Sequence, residues 1–274
     1  MKKEALFLLV FFCFSLMYGS QIKVCDSCEV SSIQQAVALS KEGDEILVMQ
    51  GTYKEHAILI DKSIHIKGVD FPVIDGEFKE TIFKITADHF SITGLEIINV
   101  GQSYTKDYAA ILVSESDDFV IENNRFKKVF FGLLIEKSKN GVIRGNQVSS
   151  EAISQANSGN GIHLWHCSKM TVANNELTGL RDGIYFEFVK TSNVYGNKSF
   201  SNLRYGLHFM FSNQNAYYNN VFKNNGAGVA IMFSKFVKMH DNRFEHNWGT
   251  ASYGLLLKEI YDAEIERNVL NKTL

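Results

Sequence analysis

An asparagine recurs at nearly constant intervals through the second half of the chain, and a series of glycines repeats beside it. The asparagines are separated by 22, 29, 22, 23, 22 and 26 residues, and they are Asn124, Asn146, Asn175, Asn197, Asn220, Asn242 and Asn268. The glycines are separated by 29, 22, 23, 22 and 26 residues, and they are Gly132, Gly161, Gly183, Gly206, Gly228 and Gly254. Because both series absorb the same insertions at the same places, the chain is predicted to be a solenoid of stacked units of about 22 residues.

Each unit contains short strands rather than helices. A strand with alternating apolar residues follows each glycine, as in Gly161-Ile162-His163-Leu164. A leucine-rich repeat of similar length would need a Leu-x-x-Leu-x-Leu frame, which is absent. The sequence therefore predicts an all-β fold, a right-handed parallel β-helix. The repeated asparagines are expected at strand corners, where asparagine tolerates left-handed backbone geometry and stacked amides can hydrogen-bond from coil to coil.

The N-terminus has the pattern of a secretory signal peptide. Lys2 and Lys3 precede an apolar run from Ala5 to Met17, and small residues follow at Gly19 and Ser20. This pattern predicts a signal peptide over residues 1–20 and an exported mature protein. The apolar run is too short for a membrane anchor, so no membrane span is expected in the mature form.

A short helix is predicted to cap the solenoid between residues 21 and 43. Val30, Ile33, Ala36 and Val37 fall at helical spacing, and Ser31 begins a capping box that Gln34 closes. From Asp44 onward the apolar residues alternate with period two. Residues 44–274 are therefore interpreted as one β-helix domain.

Composition supports a folded protein without affinity for nucleic acid. The chain is 45% hydrophobic, its formal net charge is -2, and no run of lysine and arginine follows the first three residues. A nucleic-acid backbone would require a basic patch, so nucleic-acid binding is not expected.

Three cysteines remain after the predicted cleavage. Cys25 and Cys28 directly precede the cap helix, and in an oxidising compartment they are expected to form a local disulfide, with a copper-handling dithiol or free thiols as alternatives. Cys167 is expected to be a buried free thiol, and His166 beside it is expected to pack in or near the wall. A His/Cys pair of metal ligands is the alternative for these two.

In the strands that follow the repeated glycines, alternation places every second side chain on the outer surface. If Leu207 and Phe209 point inward, His208 and Met210 point outward. Two adjacent outer columns result, one of His163, Tyr185, His208, Ala230 and Leu256, and the other of Trp165, Glu187, Met210, Met232 and Lys258.

These columns contain the candidate metal ligands. His208, Met210 and Met232 can approach one another on neighbouring coils, and His163 stands earlier in the same column as His208. Thioethers combined with imidazole suit Cu(I), whereas zinc and calcium favour more thiolate, imidazole or carboxylate. The alternatives are an apolar docking patch or side chains under a covering loop. The residues predicted to dock a partner are Trp165, Tyr185, Glu187, Arg181 and Arg204.

Five consecutive coils resemble a known family. The segments GNGIHLW, RDGIYFEF, RYGLHFMFS, GAGVAIMFS and GLLLKEI are similar to the NosD-type periplasmic proteins of nitrous oxide reductase maturation in denitrification. The resemblance implies a metallochaperone-like copper-binding role beside the ATPase and membrane subunits of an ABC transporter, a copper-carrying lipoprotein and apo nitrous oxide reductase. Since this chain has no Gly-rich phosphate loop, the ATPase would be another chain. Family members are longer, so further coils and a C-terminal cap are expected beyond Leu274.

An enzymatic function is the alternative to this copper-binding role. The coils from Gly43 to about Asn124 resemble the wider group of carbohydrate-binding and sugar-hydrolase β-helices, which suggests an exported polysaccharide-binding protein or a polysaccharide lyase or hydrolase. Such enzymes need clustered carboxylates in one groove. The outer columns contain a single carboxylate, Glu187. We therefore expect a protein that is not an enzyme, with copper, most simply Cu(I), as its ligand.

Overall fold

The architecture was obtained as a computed structural model, which describes residues 19–103, 105–249 and 254–272. Residues 1–18 of the predicted signal peptide lie outside the described residues. The described chain winds into a parallel β-helix with three sheets that run along its axis. The predicted fold class is therefore confirmed.

All strand pairs along the three sheets are parallel. The first sheet has 11 strands, at Gln21–Val24, Glu45–Val48, His65–Gly68, Ser91–Thr93, Val120–Glu122, Val142–Arg144, Thr171–Ala173, Asn193–Tyr195, Ala216–Tyr218, Lys238–His240 and Glu264–Glu266. The second sheet has nine, at Ile58–Ile60, Phe83–Ile85, Ala109–Ser114, Phe131–Glu136, Ile162–Trp165, Asp182–Glu187, Tyr205–Met210, Ala227–Met232 and Leu255–Lys258. The third sheet has ten, at Thr52–Lys54, Val73–Asp75, Glu96–Ile98, Arg125–Lys127, Gln147–Ser149, Glu176–Thr178, Lys198–Phe200, Val221–Lys223, Arg243–Glu245 and Val269–Asn271.

The core lies inside the coil and consists of the inward half of each strand. Ile184, Phe186, Leu207 and Phe209 are fully buried, and the rings of Phe186 and Phe209 stack with centroids 4.9 Å apart. Burying an apolar side chain of this size contributes about 1.5–3 kcal/mol. This packing determines which side chains of the second sheet enter the core, so the alternate side chains of these strands face outward.

The repeated asparagines form the predicted internal ladder. In each step the side-chain amide donates to the side-chain oxygen of the next asparagine, for example from Asn175 to Asn197 at 3.0 Å and from Asn197 to Asn220 at 3.0 Å. The expectation that these residues take left-handed backbone geometry is wrong. The residue before each one does so instead, as at Asn174 (φ 55°) and Asn219 (φ 54°), because the ladder asparagine must turn its side chain inward after the corner.

The cap helix spans Ile33–Leu39, one residue later than the predicted capping box implies. Its N-cap is Ser32, whose hydroxyl accepts a hydrogen bond from the Gln35 amide at 3.1 Å. The next coil satisfies two further amides, because the Glu55 carboxylate accepts from Ile33 N at 2.7 Å and from Gln34 N at 2.8 Å. Gln34 therefore does not close the cap; the side chain of Gln35 takes that place, because its Oε1 accepts from Ser31 N at 3.4 Å.

The predicted disulfide forms at the N-terminal end, where Cys25 and Cys28 are joined just before the helix.

Within the described part of the chain, no helix has the length and apolar character needed to cross a membrane.

Candidate functional site

The second sheet aligns the two outer columns in register. His163 pairs with Tyr185, Tyr185 with His208, and His208 with Ala230, while Glu187 pairs with Met210. The remaining pairs continue both columns in the order that the sequence predicts, namely Trp165 with Glu187, Met210 with Met232, Ala230 with Leu256, and Met232 with Lys258. Neighbours in a column are about 4.8 Å apart, the spacing of parallel strands.

His208 faces outward from the sheet but is not exposed, which corrects the expectation of an open face. Its residue surface is 4% accessible. The Tyr185 ring stacks on the imidazole at 4.6 Å, and the Tyr205 ring approaches it at 4.8 Å with a tilt of 55°. Neither imidazole nitrogen has a hydrogen-bond partner within the described part of the chain. The two tyrosine rings therefore hold a buried imidazole whose nitrogens are unused.

His163 lies in the same column but is separated from His208. The Tyr185 ring lies between the two imidazoles and approaches that of His163 at 4.6 Å. Burial, with a contribution from Arg181, lowers the pKa of His163 to about 4, so this imidazole is neutral at physiological pH. Its Nδ1 lies 3.4 Å from Asn160 Nδ2. The structure therefore does not bring His163 and His208 to one metal ion.

Met210 and Met232 are in-register neighbours at the half-buried edge of the face. The Tyr185 hydroxyl donates a hydrogen bond to Met210 Sδ at 3.4 Å. Burial raises the pKa of this hydroxyl to about 12, so it keeps its proton across the physiological range. Two thioethers and one imidazole without a hydrogen-bond partner among the described residues thus stand on two adjacent strands.

Sequence reasoning missed the contribution of Asp182, which opens the strand of Tyr185. The carboxylate is buried, and its Oδ1 accepts from Tyr205 N at 3.2 Å and lies 3.7 Å from Arg204 Nε. Its Oδ2 lies 3.6 Å from His208 Nδ1 and has no hydrogen-bond partner within the described residues. The available signal was an acidic residue directly before a ladder glycine, where the next two coils have Tyr205 and Ala227.

Arg181 and Arg204 flank this cluster on consecutive coils, and their backbones are joined by a hydrogen bond from Arg204 N to Arg181 O at 2.8 Å. Arg181 Nε donates to Asn160 Oδ1 at 3.2 Å, and the Arg204 guanidinium lies over the Tyr205 ring at 4.8 Å. Arg204 and Tyr205 also line an open groove of about 320 Å³. The arginines therefore border the buried polar pair of Asp182 and His208.

An aromatic ladder runs along the corner beside the second column. The His166 ring stacks on Phe188 at 4.6 Å, and Phe188 stacks on Phe211 at 5.2 Å. Trp165 meets the edge of His166 at 4.4 Å. The expectation that His166 packs in the wall is wrong, because the residue takes a left-handed corner conformation (φ 53°) that turns its ring to the surface.

The cysteines do not join the face. Cys25 and Cys28 are paired at the far N-terminal end of the solenoid. Cys167 is a buried free thiol as predicted, and burial raises its pKa to about 11. Over the described residues, no group of three or more histidine, cysteine, aspartate and glutamate side chains could hold a metal ion. The candidate ligands at the face therefore remain the Met210 and Met232 thioethers and the His208 imidazole.

The fold and this face define a parallel β-helix with a semi-buried cluster of histidine, methionine and tyrosine on its second sheet. Residues 146–273 match the family described as "Periplasmic copper-binding protein (NosD)". The resemblance to NosD-type proteins is thereby confirmed for this segment, which contains Met210, Met232 and His208.

Two curated relatives each match a little under half of the chain. One is the probable ABC transporter binding protein NosD of Pseudomonas aeruginosa, 26% identical over 127 residues, which are 46% of this chain and 30% of the relative. The other is the protein of the same name from Stutzerimonas stutzeri, 27% identical over 126 residues, 45% of this chain and 29% of the relative. The match thus spans less than a third of the length of these relatives.

Solved structures share the fold at low sequence identity. An alginate lyase from Paenibacillus sp. has a TM-score of 0.62 and 12% identity, covering 92% of this chain and 99% of its own. The A-module of a mannuronan C-5 epimerase from Azotobacter vinelandii has a TM-score of 0.59 and 13% identity, covering 82% and 72%. At this identity the likeness concerns the β-helix alone.

Proposed function

We propose that this protein is a periplasmic, non-enzymatic accessory protein that handles Cu(I) for the maturation of nitrous oxide reductase, together with an ABC transporter. The observation that carries the proposal is the pairing of Met210 and Met232 on adjacent strands beside His208, whose imidazole nitrogens have no hydrogen-bond partner in the described ranges. Thioether sulfur and imidazole nitrogen are the donors that Cu(I) prefers over harder cations.

The environment suits a metal that is passed on rather than stored. Met210 and Met232 are half-buried at the edge of the face, where a partner could reach their sulfur atoms. The Tyr185 hydroxyl orients Met210 Sδ, and His208 lies deeper under two tyrosine rings. Copper would thus be the cargo of a site whose two methionine donors lie near the surface, where a second protein can replace them.

The neighbouring surface offers a place for such a partner. Trp165 and Glu187 continue the methionine column at one end and Lys258 at the other, while Arg181 and Arg204 border the face. Exposed aromatic and methionine side chains commonly mark protein contacts. We assign docking of a copper-carrying lipoprotein, apo nitrous oxide reductase or the transporter to this surface. Of these partners, an ABC transporter is the one that the names of the NosD relatives mention.

A second candidate function is binding or cleavage of an acidic polysaccharide. The groove lined by Arg204 and Tyr205 favours it, because arginine binds carboxylates well and the groove is open. Against cleavage, the one buried carboxylate of the cluster, Asp182, already accepts from Tyr205 N and lies beside Arg204. Incubation with uronate oligosaccharides, followed by chromatography of the products, would reveal this activity, which we expect to be absent.

Titration with Cu(I) against a competing chelator tests the copper proposal. The test variant combines His208→Ala with Met210→Leu and Met232→Leu, because leucine keeps the volume of methionine while removing its sulfur. The control variant carries Met49→Ala and His65→Ala, a thioether directly after one strand of the first sheet and an imidazole within another. We expect the wild type and the control to bind copper equally and the test variant to lose binding. Equal binding by all three, or none by the wild type, would contradict the proposal.

A further inference from the structure

The Asp182 carboxylate and the His208 imidazole form a buried pair whose facing atoms have no other partner. Asp182 Oδ2 and His208 Nδ1 lie 3.6 Å apart, and both lack a hydrogen bond within the described part of the chain. This distance is longer than a hydrogen bond. Any movement that shortens this distance would let each atom satisfy the other.

The other oxygen of the carboxylate is already engaged. Asp182 Oδ1 accepts from Tyr205 N at 3.2 Å and faces Arg204 Nε at 3.7 Å. These contacts fix the carboxylate so that Oδ2 is directed at His208. The rings of Tyr185 and Tyr205 restrict the imidazole from two sides, so it keeps Nδ1 towards Asp182.

This geometry selects one tautomer of His208. If Nε2 carried the proton, the lone pair of Nδ1 would face the carboxylate oxygen Oδ2, and two acceptors would oppose each other in a buried site. If Nδ1 carries the proton, it faces the carboxylate as a donor and Nε2 presents a lone pair. A metal-bound imidazole commonly has such a carboxylate behind it, which fixes the tautomer and orients the ring.

We propose that Asp182 is a positioning residue that holds His208 as the Nδ1–H tautomer and thereby keeps Nε2 free to bind copper. The role is specific to this coil, because the in-register positions of the next two coils are Tyr205 and Ala227. For its copper step the inference rests on the proposed function. For its tautomer step it stands on the geometry of the free protein alone.

The variant Asp182→Asn replaces the acceptor that faces His208 Nδ1 by a donor and keeps the shape of the side chain. Asparagine keeps Oδ1 for the Tyr205 amide and turns Nδ2, a donor, towards His208 Nδ1. That nitrogen must then accept, so the proton moves to Nε2 and the lone pair for copper is lost. Asp241→Asn is the matched control, because Asp241 Oδ2 lies 2.8 Å from His240 Nδ1 on the first sheet.

The tautomer is read in the copper-free mature protein by long-range ¹H–¹⁵N correlation of the imidazole nitrogens. The chain has eight histidines, and the His208 signals are those that vanish in His208→Gln. We expect Nδ1–H at His208 in the wild type and in Asp241→Asn, and Nε2–H in Asp182→Asn. An Nε2–H tautomer in the wild type, or an unchanged tautomer in Asp182→Asn, would overturn the inference.

The copper step is measured separately on the same three proteins. We expect Asp182→Asn to bind Cu(I) about 10- to 100-fold more weakly, the usual effect of losing such an outer partner, and Asp241→Asn to match the wild type. A switched tautomer with unchanged affinity would refute the link to copper. A switched tautomer in a protein whose wild type binds no copper would support the positioning role and refute the proposed function.

Discussion

The asparagine ladder allows a quantitative test at Asn197, which lies near its middle and is fully buried. Its Oδ1 accepts from the backbone amide of Asn175 at 2.9 Å, and its Nδ2 donates to the carbonyl of Val172 at 2.9 Å. Asn197→Ala removes both contacts together with the ladder hydrogen bonds to Asn175 and Asn220, and it leaves two buried backbone groups without these partners. Since each such backbone group costs about 1–3 kcal/mol, we expect a loss of at least about 2–6 kcal/mol in the free energy of unfolding.

The assay is urea unfolding followed by both far-UV circular dichroism and tryptophan fluorescence. Coincident transitions are needed before a single free energy is assigned, because solenoids can unfold in parts. The control is Asn193→Ala, since Asn193 is exposed on the first sheet and its replacement should change stability by about 0.5 kcal/mol or less. If Asn197→Ala costs no more than Asn193→Ala, the ladder does not stabilise the coils in the way described.

Three further predictions concern the cap, the disulfide and the free thiol. Hydrogen bonds from the amides of Lys41 and Ser20 lower the pKa of Asp44, so its stabilising contribution is present above the ordinary aspartate pKa and is lost as pH falls through the lowered one. The difference in urea midpoint between wild type and Asp44→Asn should therefore shrink from pH 7 to pH 3, and a constant difference would contradict this. Replacing Cys25 and Cys28 together by serine should lower the free energy of unfolding by about 2 kcal/mol, because the disulfide closes a very short loop; an equal urea midpoint would refute it. Cys167 should resist alkylation at pH 8 in the folded protein and react once guanidinium unfolds it, since burial raises its pKa to about 11; rapid labelling of the native state would show that the thiol is accessible.

The repeat was the part of the fold that sequence patterns could predict. Period-two alternation requires that one face of each strand enter the core. The recurrence of the ladder asparagines at similar intervals, as from Asn197 to Asn220, requires that successive coils stack in register. From these two facts the outer columns follow, because a side chain that does not enter the core must leave it. The order from His163 to Leu256 and from Trp165 to Lys258 was therefore predictable residue by residue.

Burial on the outer face could not be predicted in the same way. Alternation says which way His208 points, but whether it meets solvent depends on Tyr185 and Tyr205, which lie on two different coils. Asp182 was overlooked for a related reason. Its role comes from a contact with a residue of the next coil, 26 positions along the chain, and no local pattern marks such a contact.

The sequence by itself thus determined the solenoid, its register and the list of side chains on its outer face, because these follow from the periodicity of apolar residues along single strands. The tertiary structure alone decided which of these side chains are buried, which are held apart by a tyrosine ring, and which have unused polar atoms. Such properties belong to contacts between coils, whose distances depend on side-chain packing rather than on spacing along the chain.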